Sequence, residues 1–167
     1  MLSFKEFIAE GGIARAISKS NTKVTGHISA DRGSDEGENR NKRKGLEKDL
    51  KKKGIGYKKG VGQYKYDDGK TGTEVSYHTS KPDKMSKRRF GKLTRRLGRK
   101  HGQESVITKD KDKSAKLHYT DKSGRDTENI GRAKPGKHPL GYGETGEKKQ
   151  RGDKLKDKKK DRDFHYS

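Results

Sequence analysis

The chain has 167 residues, with 45 Lys or Arg against 24 Asp or Glu, a formal net charge of +21. Hydrophobic residues make up 23% and charged residues 41%, where globular domains carry roughly 45–50% apolar residues and about 25% charged ones. This supports one small folded centre with solvated ends and excludes two well-packed domains. With no cysteine there is no disulfide scaffold, thiolate zinc site or Cys nucleophile.

Residues 1–10 form a unit of their own. Ser3 and Glu6 have capping-box spacing, and Phe4, Phe7 and Ile8 share one face of a short helix stopped by Gly11-Gly12. The segment lacks the basic n-region and unbroken apolar h-region of a secretory signal. Residues 11–22 read as a linker.

The folded centre is expected over 23–120. Val24, Gly26, Ile28 and Ala30 alternate with polar positions, as in a half-buried strand. GENRNKRKGLEKDLKKKG then reads as a helix ending at Gly54, with Leu46 and Leu50 on one face. GYKKGVGQYKY and TEVSYHT, joined by Asp67-Asp68-Gly69, predict a hairpin. Pro82 and Ser86 open a second helix, roughly 84–101, with Phe90, Leu93 and Leu97 on one stripe and Gly102 as its stop. QESVITKD and AKLHYTD predict a second hairpin around Lys111-Asp112. Residues 121–167 are basic, poor in apolar residues and expected as a largely disordered tail, with a short strand allowed at 164–166. The fold class is α+β: a small antiparallel sheet with two helices on one face, a ferredoxin-like arrangement being the nearest template.

A net charge of +21 attracts polyanions. The candidates for a membrane-binding helix are only moderate, so DNA is the expected partner, held non-specifically through phosphates. On the second helix Arg88, Lys92, Arg95 and Arg99 oppose the apolar stripe, with Arg96 on the flank. On the first, Arg40, Lys42 and Arg43 add to the basic surface. Tyr64 and Tyr66 are candidates for base stacking, although a sheet so poor in aliphatics also needs tyrosine as core.

Catalytic groupings are thin. Six histidines show no paired metal spacing, and no metal or cofactor is expected. Asp31 with His27, Arg32, Asn39 and Arg40 could gather at one end of the sheet, as could Glu74, Gln103 and Glu104. Such clusters are commonly loop scaffolding, and no nucleophile is specified. The expectation leans away from an enzyme.

Two resemblances complete the reading. MLSFKEFIAE followed by Gly11 resembles the capsid-targeting peptide of internal head proteins in large contractile-tailed bacteriophages. That resemblance implies cleavage between Glu10 and Gly11 by a prohead protease, docking on the phage scaffold, a place in the virion interior, and later delivery to the host cytoplasm. The body is similar to a family of small uncharacterised phage and bacterial domains, on HISADRG, ENRNKR, GIGYKKGVGQY and LGRKHGQESV. The expected function is therefore an internal capsid protein packaged and ejected with the genome, binding DNA through its basic surfaces. Two alternatives stand beside it. One is an ejected effector that inhibits a nuclease or other host defence enzyme by protein contact. The other is a single-stranded RNA-binding module.

Overall fold

The computed structural model describes residues 22–33, 35–65, 71–135, 143–145, 148–151, 154–157 and 164–166, with side chains for 22–33, 35–60 and 74–132. The candidate peptide residues Phe4, Phe7, Ile8, Glu10 and Gly11 lie outside the described residues, as does Tyr66. Tyr64 is described in its backbone only.

Six elements in chain order build the centre: β1 (Thr25–Ser29), α1 (Glu36–Lys52), β2 (Gly56–Lys65), β3 (Thr71–Ser80), α2 (Lys87–Lys100) and β4 (Ser105–Lys109). The helix ends follow local chemistry. The Asp35 carboxylate accepts the Glu38 N–H at 2.8 Å and so caps α1. Gly54, at φ +67°, closes it in the left-handed region. Ser86 caps α2 through the Arg89 N–H, and Gly102, at φ +66°, follows its end.

β1 pairs antiparallel with both β3 and β4, and β2 pairs with β3. The order β4-β1-β3-β2 with a β-α-β-β-α-β sequence is the ferredoxin-like arrangement expected. β5 (Ala115–Tyr119) forms the predicted second hairpin with β4. β6 (Glu128–Gly131) then pairs with β5, so the sheet continues beyond residue 120, where only a tail was expected. Further short strands are β7 (Ala133–Pro135), β8 (Gly143–Thr145), β9 (Lys148–Arg151), β10 (Lys154–Asp157) and β11 (Phe164–Tyr166). β8, β11 and β7 extend the sheet beyond β2, while β9 and β10 pair with each other.

Both helices cover one face. Leu46 and Leu50 of α1 and Phe90 and Leu97 of α2 pack on Ile28, Val75, Tyr77 and Val106, all nearly fully buried. Leu93 packs against this cluster but is only partly buried. The buried stripe of α2 is Phe90, Thr94, Leu97 and Gly98, so the helix is rotated from the expected stripe and Leu93 is left half-buried at its edge. A β-carbon on Gly98 would lie 2.6 Å from Val106 Cγ1 and 3.2 Å from Thr120, so glycine lets α2 sit closely on the sheet.

The opposite face differs from expectation. Alternation in β1 predicted a half-buried strand, yet Thr25, His27 and Ser29 are buried with the apolar positions. Strand register places His27 opposite His78 and Ser29 opposite Ser76. The two imidazoles stack with centroids 4.4 Å apart. The sheet thus has an apolar face under the helices and a polar, largely buried face behind it.

Candidate active site

The site forms where β1 ends and the chain turns toward α1. Ser29 is the last residue of β1, and its partner Ser76 lies two positions along β3 from Glu74. Because side chains alternate along a strand, Glu74, Ser76 and Ser29 share the polar face. Beyond Ser29 the ladder lacks a β1 partner, and the Asp31 carboxylate takes that place by accepting the Val75 N–H at 2.9 Å.

Asp31 is held from the other side by Arg43 of α1. The Arg43 guanidinium donates to Asp31 through Nε at 2.6 Å and Nη2 at 2.9 Å, and to Glu36 at 2.8 and 3.1 Å. Burial works against its charge, but the hydrogen bonds to Asp31 and then Glu36 outweigh it and hold the guanidinium more firmly protonated than usual. Asn39 accepts the Arg32 N–H at 2.8 Å and donates to the Gly33 carbonyl, while Gln103 Nε2 reaches the Asp31 carbonyl at 3.2 Å.

Glu74 is the titratable centre of this cluster. Burial, then the Asp31 charge, push its carboxyl up to about 8, against a hydrogen bond from Ser29 and the Arg32 charge. The Ser29 hydroxyl therefore links two groups, accepting the Asp31 N–H at 3.1 Å and donating to Glu74. Three carboxyl groups (Asp31, Glu36 and Glu74) share this corner with the guanidiniums of Arg43 and Arg32. In a chain of net charge +21 this spot is short of positive charge. It is chemically suited to a cationic ligand, and the Glu74 carboxyl, mostly protonated at neutral pH, can give up its proton when such a ligand arrives.

The two clusters considered in the sequence thus become one. Asp31, Arg32, Asn39, Glu74 and Gln103 come together, whereas Arg40 stays exposed and Glu104 pairs with Arg125 instead. In the sequence Asp31 and Glu74 fall in separate clusters, and neither has a specified role. The signal that finds them is the β1–β3 register, which no local motif encodes.

The expected nucleic-acid residues divide. Arg43 is only 7% exposed and is consumed by Asp31 and Glu36, so it offers nothing to a phosphate. Lys42 pairs with Glu38 at 3.5 Å, and Arg88 is exposed on α2. Lys92, Arg95, Arg96 and Arg99 do converge, with Lys52 and Lys53 from the end of α1, on a groove of about 880 Å³. Tyr77 of β3 is core. It is fully buried, its hydroxyl donates to Glu47 at 2.8 Å, and Tyr57 packs edge-on against it. Among the described residues, no group of three or more His, Asp or Glu is placed to hold a metal ion. Nor is any described helix long and apolar enough to cross a membrane.

A family model described as the S-adenosylmethionine lyase family matches residues 26–154, which include nearly all of β1 and everything from α1 through β9. No curated protein and no solved structure matches. The family match overturns the expected function, a capsid protein whose body serves to bind DNA, because the matched span is the body itself and the family is named for a lyase of a small molecule. It favours the host-directed effector held as the alternative, and it turns the reading toward an enzyme. With its folded centre matched from one end to the other, the chain belongs to the S-adenosylmethionine lyase family.

Proposed function

We propose that this chain cleaves S-adenosylmethionine and that Glu74 holds the α-ammonium group of that substrate. The observation carrying this reading is the gathering of Asp31, Glu36 and Glu74 at the end of β1, where burial and the Asp31 charge push the Glu74 carboxyl above the ordinary glutamate range. An opposite charge brought within about 4–6 Å favours the ionised form. S-adenosylmethionine has two cationic groups, a sulfonium and an ammonium. The sulfonium loses its charge when the C–S bond breaks, so a carboxylate fixed on it would hold the substrate more tightly than the transition state. The ammonium keeps its charge throughout, and pairing there orients the molecule without opposing the reaction.

When the C–S bond on the amino-acid side breaks, its electron pair leaves with sulfur, which becomes a neutral thioether. The carbon regains a pair from an oxygen of the substrate's own carboxylate, which closes a lactone with no proton to transfer. The burial around Ser29, Ser76 and His27 supports this chemistry by removing water from a charge that disappears along the path.

An enzyme of this kind is a host-directed effector that acts through a small molecule, by removing the donor that methyltransferases need. The capsid-targeting resemblance of residues 1–11 then concerns delivery: the peptide would carry an enzyme into the virion, and cleavage after Glu10 would leave the matched span whole.

Calorimetric titration tests the assignment of Glu74. Binding of S-adenosylmethionine near pH 7 should release a proton, read from the dependence of the heat on buffer ionisation. Glu74→Gln should abolish that release and weaken binding at least about tenfold, the scale of a lost charge-assisted hydrogen bond. Methylthioadenosine, which has no ammonium, should bind both proteins equally. Equal affinity of the two proteins for S-adenosylmethionine would overturn the assignment.

A further inference from the structure

The groove between the end of α1 and the exposed side of α2 is unrelated to the Glu74 corner, and the proposed reaction does not use it. Arg89, Lys92, Arg96 and Arg99 recur along α2 at helical spacing and extend over about 15 Å. Lys52 and Lys53 face them from α1. Among the described residues none of these cations has a carboxylate partner, and all six are exposed. Elsewhere on the same helices cations are paired: Lys100 bonds Asp49 at 2.7 Å, and Lys87 bonds Asp110 at 2.8 Å. Acids are thus excluded from this groove and not from the surface at large.

The floor is not cationic. Met85 and Leu93 lie in it half-buried, packed against the core from one side and open on the other. This explains why Leu93 is apolar although it is only half-buried at the edge of the core. A concave surface with an apolar floor and basic walls matches a helix that carries leucine-like residues on one stripe and carboxylates on its flanks. A nucleic-acid backbone would satisfy the walls and leave Met85 and Leu93 facing charged phosphate.

We propose that this groove binds an acidic amphipathic helix of another protein, with Met85 and Leu93 receiving its apolar side chains and Lys52, Lys53, Arg96 and Arg99 its carboxylates. The probe is a fluorescein-labelled helical peptide of Glu and Leu, added to the full chain in about 0.15 M salt, where long-range attraction is largely screened. A Glu/Ala peptide of equal charge and a short DNA duplex are the controls. The Glu/Leu peptide should bind at least about tenfold more tightly than either control. Arg96→Glu with Arg99→Glu should weaken it by a further factor of about ten or more, with the melting temperature unchanged because both side chains are exposed. Met85→Gln should remove the preference for leucine over alanine. Equal binding of the Glu/Ala peptide or of the duplex would overturn the proposal, as would undiminished binding by the doubly substituted protein.

Discussion

Asp31 places its negative charge beside Glu74 and, after burial, is the main reason that this carboxyl is pushed up to about 8. The effect on stability has a definite sign. An unfolded glutamate titrates near about 4.3, so between that pH and about 8 the folded chain binds more protons than the unfolded one. Stability must therefore fall as pH rises through this window. Glu74→Gln removes the titrating group. The substituted protein should melt progressively higher than the wild type between pH 5 and pH 9, and a gap independent of pH would contradict the account.

The same pair predicts a shifted pH profile. If ionised Glu74 binds the substrate, kcat/KM for S-adenosylmethionine should rise with pH and level off above about 8, because this profile reports the free enzyme. Asp31→Asn removes the neighbouring charge, so Glu74 ionises more readily and the rising limb should move to lower pH. A merely structural Asp31 would lower the rate and leave the limb where it was.

Arg43 should matter for folding more than for the reaction. It neutralises Asp31 and Glu36 in a corner where the side chains of Arg43 and Asp31 are about one-tenth exposed or less. Arg43→Met leaves two partly buried carboxylates without their cation. The cost of breaking such a buried pair is about 3–5 kcal/mol, read as a lower urea midpoint. A loss below about 1 kcal/mol would mean that the pair is solvated.

Gly98 tests the seating of α2 on the sheet. Alanine would add about 1 kcal/mol of helix preference, but its β-carbon would meet Val106 Cγ1 at 2.6 Å in a fully packed layer. Overpacking of this kind costs about 1–3 kcal/mol. The net expectation for Gly98→Ala is a loss of about 1 kcal/mol, relieved when Val106→Ala is combined with it. Gly98→Ala raising the melting temperature would show that the layer yields.

The architecture was legible because each element has its own local signal. Asp35, Gly54, Ser86 and Gly102 bound the two helices, and the alternating Val75 and Tyr77 mark β3. What could not be read locally was which face each polar residue would occupy. Arg43 looks like one of several surface cations until α1 is docked and Asp31 is brought around from β1. Glu74 looks like an ordinary polar position of a strand until Ser29 is set opposite Ser76. The charge of +21 drew attention to polyanions, whereas the candidate site lies where carboxylates gather. Net charge is a property of the whole surface and says little about a corner of a few residues.

The most direct measurement incubates the purified full chain with S-adenosylmethionine and follows conversion of the cationic substrate to a neutral adenosyl thioether by cation-exchange chromatography. The wild type should consume the substrate over many turnovers, and Glu74→Gln should lose at least about 99% of kcat/KM, about 2.7 kcal/mol, while melting no lower than the wild type. An intact substrate after incubation with folded wild-type protein, or full activity in the Glu74→Gln protein, would contradict the account.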